Sequence, residues 1–136
     1  MARAYTVGTV ALALEIPTKW IDNVLSHHTV PGVAQKRQGV SRRVSLEGVL
    51  QLRIANLFMQ ELGLQTANAL AFAAAITRTE GQYRTPTGLS LHLDLAAIKA
   101  DLEVRLGNAV EIAPVPRRGR PPNAPRPSSS KTGRLD

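Results

Sequence analysis

Residues 45–64 read SLEGVLQLRIANLFMQELGL, a stretch whose apolar spacing and two ends predict a helix. Ser45 can accept a hydrogen bond from the first helical turn, and Gly63 followed by Leu64 is typical of a helix C-terminus. The pattern therefore predicts one helix from Ser45 through Leu62. Its core candidates are Val49, Leu50, Leu52, Ile54, Leu57, Phe58 and Leu62.

Two shorter helical patterns precede this stretch. Thr6 or Thr9 can cap the first helix, which runs to about Glu15, and Pro17 suits the first turn of the second, 17–27. The apolar residues of the second helix are expected to face the core: Trp20, Ile21, Val24 and Leu25. The opposite face is polar and hydrogen-bonding: Lys19, Asp22, Asn23 and Ser26. Two helices joined by about three residues predict a helix-turn-helix whose second helix faces a DNA major groove.

Residues 29–44 follow with no helical periodicity and with the one dense basic cluster of the predicted folded part. The cluster consists of Lys36, Arg37, Arg42 and Arg43. Val40 and Val44 flank polar residues, so we expect a short hairpin that turns at Gly39. Thr66 is expected to cap a fourth helix that ends near Arg78.

The spacing of apolar residues changes from helical to alternating after Gly88. Alternating leucines predict a strand over 89–95, and Asp94 is expected to cap a helix over about 95–106. Gly107 and Asn108 are expected to end that helix, and Val110 with Ile112 allows one more short strand.

The chain has 17 Lys and Arg against 10 Asp and Glu, a net charge of +7 and a pI of about 10.8. Residues 1–112 hold eleven basic and nine acidic residues, and residues 113–136 hold six and one, so the net charges are +2 and +5. Six of the nine prolines also lie in 113–136, which predicts a disordered basic tail. This balance favours a polyanionic partner, most commonly nucleic acid.

Within the tail, Arg118-Gly119-Arg120-Pro121 follows Arg117 and matches the core of an AT-hook. An extended Arg-Gly-Arg fits a narrow A·T minor groove, because glycine adds no bulk at the groove floor. The alternative is a solubilising tail that adds only non-specific affinity for phosphate.

The composition excludes several kinds of site. The chain has no cysteine, so disulfides, thiolate metal sites and thiol nucleophiles are absent. Adjacent His27 and His28 point about 100° apart on a helix, and His92 is the third histidine, so no metal ion and no other cofactor is expected.

No carboxylate pair, catalytic triad or phosphate-binding glycine loop is visible, and we expect no enzyme. The chain lacks a long apolar segment and a clear signal peptide, so a cytoplasmic protein is expected.

The order helix, turn, helix, basic hairpin and two further helices resembles the winged helix-turn-helix of MerR-type transcriptional regulators over about 5–78. The resemblance is carried by 53–64, by Tyr5-Thr6-Val7-Gly8, and partly by Arg42-Arg43-Val44-Ser45. The sequence departs from the family at Glu15, which replaces the turn glycine, and at Asp22, which replaces a recognition-helix arginine. The family's long dimerising helix and effector domain are missing. The resemblance implies a winged helix that binds DNA.

We therefore expect a mainly α fold with short β elements: a winged helix-turn-helix over 1–80, a small strand-helix unit over 81–112, and a disordered tail over 113–136. The expected partner is double-stranded DNA, bound by a homodimer formed through the fourth helix and 89–106. Such a protein would be a transcriptional regulator or a nucleoid-associated factor. The expected DNA-binding residues are Thr18, Lys19, Asn23, Ser26, His27, Lys36, Arg37, Arg42, Arg43, Arg117, Arg118, Gly119 and Arg120.

Two other functions compete with this one. The first is a protein–protein adaptor, such as an antitoxin or a regulator of a phage or mobile element, that captures its partner through 83–112. Its strand over 89–95 could add to the edge of the partner's sheet. The second is RNA binding, which the small number of aromatic residues available for base stacking disfavours.

Overall fold

The computed structural model describes residues 4–33 and 42–112. These residues form five α-helices and two small antiparallel sheets, which confirms the mainly α class. In chain order the elements are β1 (Ala4–Tyr5), α1 (Val7–Leu14), α2 (Thr18–His27), β2 (Val44–Ser45), α3 (Leu46–Leu62), α4 (Thr66–Arg78), β3 (Gln82–Arg84), β4 (Ser90–His92) and α5 (Leu95–Ile112). Within the described ranges, no helix is long and apolar enough to cross a lipid bilayer.

Helix α3 is the central element of the core and has the ends that the sequence predicts. The Ser45 hydroxyl accepts from the Gly48 backbone N–H at 3.3 Å, and Gly63 adopts the left-handed conformation at φ 69°. Nine of the 17 residues of α3 are buried, including Val49, Leu52 and Ile54. Two expected core residues are corrected: Leu57 is half-buried and Leu62 is 53% exposed. Leu62 lies in the last turn of α3, 59–62, in which no residue is buried.

Helix α4 packs closely along α3 through small and branched side chains. Its buried residues are Ala69, Leu70, Ala73 and Ile76. The rings of Phe58 and Phe72 meet edge to face with their centroids 6.2 Å apart, which fixes the contact between the two helices. The expected cap is wrong, because Gln65 holds the N-cap position without a side-chain bond and Thr66 is the first helical residue. The Thr66 hydroxyl lies 3.9 Å from Met59 Sδ instead.

Helices α1 and α2 form a pair joined by three residues. Thr6 caps α1, since its hydroxyl accepts from the Thr9 backbone N–H at 3.1 Å. Glu15 adopts a left-handed conformation at φ 58° after α1, so it occupies the backbone state in which a glycine is usual. Ile21, Val24 and Leu25 of α2 are buried as expected. Trp20 is a correction: it packs against the core but remains half-buried.

The C-terminal part differs most from expectation. The strand expected over 89–95 is reduced to β4, which pairs antiparallel with the unpredicted β3. Helix α5 does not end at Gly107 but continues to Ile112, so the further strand expected there is wrong. The helix continues because Leu106 and Ala109, on either side of the glycine, are both buried. A helical glycine costs only about 1 kcal/mol, which this packing outweighs.

Helix α5 packs chiefly on α1, which lies at the other end of the folded chain. Leu102 and Leu106 belong to the same hydrophobic core as α1. The Arg105 guanidinium donates to the Ala13 carbonyl oxygen at 3.3 Å and to Asp101 Oδ2 at 2.7 Å, and it lies 3.6 Å from Glu15 Oε2. This side chain therefore joins α5 to the end of α1 and to the turn that leads into α2.

Candidate nucleic-acid interface

The polar face of α2 is turned to solvent. The exposed residues are Thr18, Lys19, Asp22, Asn23, Ser26 and His27. They share one side of the helix, because the opposite side packs Ile21, Val24 and Leu25 into the core. All five α2 residues expected to bind DNA therefore lie on a single accessible surface.

Two residues of this surface are linked at the C-terminal end of α2. His27 Nδ1 lies 2.9 Å from the Asn23 backbone carbonyl oxygen. This contact holds the imidazole against its own helix and leaves the Asn23 side-chain amide exposed. Among residues 4–33 and 42–112, no group of three histidine or acidic residues could hold a metal ion.

Arg42 reaches the same face from a different part of the chain. Its Nη2 lies 3.5 Å from Ser26 Oγ, so the guanidinium stands beside the polar side of α2. Arg43 Nη1 lies 3.5 Å from the Arg42 carbonyl oxygen, and this side chain is exposed. The next residue, Val44, is fully buried, so the chain is anchored directly after the two arginines.

The position of these arginines depends on the β2 pairing. Val44 pairs antiparallel with Tyr5 in the sheet and also forms an isolated antiparallel bridge with Val33. The backbone N–H and the hydroxyl of Ser45 both donate to the Gly32 carbonyl oxygen, at 3.0 and 2.7 Å. Residues 33 and 44 are therefore neighbours in the fold, and Arg42 lies close to the end of α2.

Gly32 is required at this junction. It has φ +86°, and a Cβ atom there would lie 2.4 Å from the Gly48 backbone nitrogen and 2.6 Å from Ser45 Oγ. Any side chain would push the strand junction away from the start of α3.

The Gly39 turn and Lys36 and Arg37 of the expected hairpin lie outside the described residues, as do Arg117, Arg118, Gly119 and Arg120 of the tail.

The interface is rich in unpaired positive charge. Within the described ranges, the ion pairs all involve Arg105, so Lys19, Arg42 and Arg43 have no acidic partner within 4.0 Å. Asp22 is the one acid on the α2 face and is likewise unpaired in the described part. An anionic ligand on this surface would therefore meet guanidinium and ammonium groups that no carboxylate already neutralises.

The sequence alone does not predict how these groups come together. The spacing of 16 residues between Ser26 and Arg42 carries no sign of their contact. The sequence does offer one signal for the orientation of Arg43. Val44 is an apolar residue in an extended segment, so its burial turns the neighbouring Arg43 outward. The close approach of Gly32 to Gly48 has no signal beyond the presence of the two glycines.

No protein-family model, no curated protein and no solved structure matches this chain.

Proposed function

We propose that this protein binds double-stranded DNA through a winged helix-turn-helix, with α2 in the major groove and 29–44 as the wing. One observation carries the proposal: Arg42 stands 3.5 Å from Ser26, which joins the basic segment to the exposed polar face of α2. A groove-binding helix flanked by phosphate-binding arginines needs this arrangement. The protein would act as a homodimeric transcriptional regulator or a nucleoid-associated factor in the cytoplasm.

The side chains on the face suit different parts of a duplex. The Asn23 amide can form a bidentate pair with an adenine, and Asp22 can accept a hydrogen bond from a cytosine amino group. Lys19, Arg42 and Arg43 can bind phosphates on the two sides of the groove. Asp22 also repels phosphate, so α2 must approach the duplex with that carboxylate turned toward base edges.

The first test measures how much of the binding depends on the two arginines. We expect Arg42→Met with Arg43→Met to weaken binding to every duplex and to reduce the salt slope by about 0.9 for each lost phosphate contact. Fluorescence anisotropy at several salt concentrations measures both quantities. Arg84→Met is the matched control, since it removes an exposed guanidinium from β3, which is not part of this surface. Equal slopes in both variants would contradict the proposal.

Asn23→Ala tests α2 as the helix that reads sequence. The exposed side chain has no structural hydrogen bond in the described part, so folding should be unchanged. We expect the preference for a selected site over scrambled duplex to fall by about 1–3 kcal/mol. If the ratio of the two affinities is retained, α2 does not read the bases.

Removal of 113–136 tests the two interpretations of the tail. If Arg118-Gly119-Arg120 enters the minor groove, the deletion should cost more affinity on A·T-rich flanks than on G·C-rich flanks. Gly119→Val should then reproduce much of that loss without a change in charge. Equal losses on both flanks, with no effect of Gly119→Val, would leave diffuse electrostatic attraction as the role of the tail.

The adaptor function remains a second candidate because of one exposed apolar side chain. Leu89 precedes β4 and is 53% exposed, and β4 pairs only with β3 among the described strands. Under this alternative, the chain would co-purify with one protein at fixed stoichiometry, and Leu89→Asp would abolish that association. DNA affinity would then be insensitive to the Arg42 and Arg43 changes.

A further inference from the structure

A cleft of about 430 Å³ opens between α3, α4 and α5, and no residue of α2 lines it. Its apolar lining comes from Leu46 and Leu50 of α3 and Leu95 of α5, whereas α4 contributes Thr77 and Arg78. The volume falls within the range of about 300–1,000 Å³ that is usual for small-molecule sites. The cleft can therefore hold a compact ligand with an apolar body.

A fixed polar group lines the same cleft. Gln51 is only 2% exposed, and its Nε2 donates to the Thr77 hydroxyl at 2.7 Å. The Thr77 hydroxyl in turn lies 2.9 Å from the Ala73 carbonyl oxygen and 3.1 Å from that of Ala74, which holds the amide in one orientation. The Gln51 side-chain oxygen accepts no hydrogen bond from the described residues. One wall of the cleft therefore offers a pre-oriented amide whose oxygen can accept a further hydrogen bond.

The rim of the cleft is charged. Arg78 at the end of α4, Lys99 on α5 and one carboxylate, that of Glu47, line it. All three side chains belong to exposed residues, and none has an ion-pair partner within 4.0 Å in the described part of the chain. The rim therefore carries a net charge of +1 that is not neutralised locally, which favours an anionic ligand.

We infer that this cleft binds a small organic anion, with its apolar body on Leu46, Leu50 and Leu95 and its acidic group facing Arg78 and Lys99. The Gln51 amide would orient a polar atom of the ligand. This site is distinct from the proposed DNA surface, and the inference holds whether or not the protein binds DNA.

Two fluorescent probes of similar shape test the inference. 1-Anilinonaphthalene-8-sulfonate has a sulfonate group on an apolar ring system, and N-phenyl-1-naphthylamine is its uncharged counterpart. We expect the full-length protein to bind one sulfonate probe with at least about fivefold higher affinity than the neutral probe, because two cations face the acidic group. Octanoate, but not octanol, should displace the bound probe. Equal affinity for the two probes would overturn the anionic assignment.

Three rim variants then locate the probe, since each removes a charge from an exposed side chain without disturbing the core. Lys99→Met and Arg78→Met should each raise the Kd of the sulfonate probe about two- to fivefold. Glu47→Gln should lower the Kd by a similar factor, because it removes the one opposing charge from the rim. The matched control Arg84→Met removes a cation from β3 and should leave the Kd unchanged. An effect of Arg84→Met equal to that of Lys99→Met, or no response to any rim variant, would overturn the site.

Discussion

Helices α3 and α5 are nearly equal in length, 17 and 18 residues, but α3 buries many more of its residues in the core. Nine residues of α3 are buried, whereas α5 buries Leu102, Leu106 and Ala109 alone. Apolar side chains of α5 such as Val104 and Ile112 are exposed, at 63% and 71%. Length and apolar content therefore do not reveal how much of a helix a small domain buries. Helix α3 holds the fold together, while α5 covers one side of α1 and leaves its other faces accessible.

Glycine has three different roles in these two helices. Gly63 ends α3 in a left-handed conformation, and Gly48 allows the first turn of α3 to approach Gly32. Gly107 lies inside α5 with no atom within 4 Å of the position that a Cβ would take. The same residue type is therefore required in α3 and unnecessary for the packing of α5.

The largest expected effect contrasts a buried leucine of α3 with an exposed valine of α5. Leu52 is fully buried, so Leu52→Ala should reduce the free energy of unfolding by about 2–5 kcal/mol through lost burial and a residual cavity. Val104→Ala should change it by less than about 0.5 kcal/mol, because that side chain is already in water. Urea denaturation followed by circular dichroism measures both. Similar losses in the two variants would show that α5 contributes as much to the core as α3.

The second prediction concerns the sign of the Gly→Ala effect in the two helices. An alanine at 48 would place its Cβ 2.8 Å from Val44 Cγ1 and 3.0 Å from the Gly32 carbonyl oxygen. Because Val44 is fully buried and cannot move freely, Gly48→Ala should destabilise the protein by about 1–3 kcal/mol. Thermal unfolding followed by circular dichroism gives the sign directly.

Gly107→Ala provides the matched measurement in α5. The site is open, and alanine has the higher helix propensity, so this change should stabilise the protein by about 0.5–1 kcal/mol. A destabilising effect would contradict the open surroundings of this glycine. A stabilising effect of Gly48→Ala would show instead that the start of α3 is loosely packed.

The smallest expected effect concerns the link between α5 and α1. Arg105→Met removes the bonds to the Ala13 carbonyl and Asp101 but retains most of the apolar stem. The side chain is 32% exposed and Glu15 is 80% exposed, so solvent screens the charge and the loss should be about 0.5–1 kcal/mol. Urea denaturation at low and high salt measures this loss and its screened part. Arg84→Met should have no effect, and a loss as large as that of Leu52→Ala would place Arg105 among the main supports of the core.

Local patterns predicted the parts of the fold whose determinants lie within one helix or its ends. Thr6, one of the two candidate caps of α1, and Ser45 cap their helices, and the Gly63-Leu64 pair ends α3 at the expected residue. The division of α2 into apolar and polar faces was also predictable, because helical periodicity alone separates Val24 from Asn23. The candidate DNA-binding residues of α2 were identified on this basis.

Long-range packing decided the remaining parts. Gly107 has the appearance of a helix end in the sequence, but burial of Leu106 and Ala109 carries α5 through it. Strand β3 pairs with β4, and its three residues place one half-buried aromatic, Tyr83, between two exposed polar residues, which is too short a pattern to predict a strand. The half-burial of Trp20 also depends on neighbours that the α2 pattern does not specify.

The sequence by itself determined the positions of the first four helices, the caps of α1 and α3, the polar face of α2 and the concentration of basic residues, since propensity, periodicity and charge act over a few neighbouring positions. Only the tertiary structure decided that Arg42 stands beside Ser26 and that Arg105 reaches Ala13. The contacts span 16 and 92 residues of chain, and each forms because buried side chains elsewhere bring the two segments together. Packing of the core is a property of the whole chain, so no local window of sequence contains it.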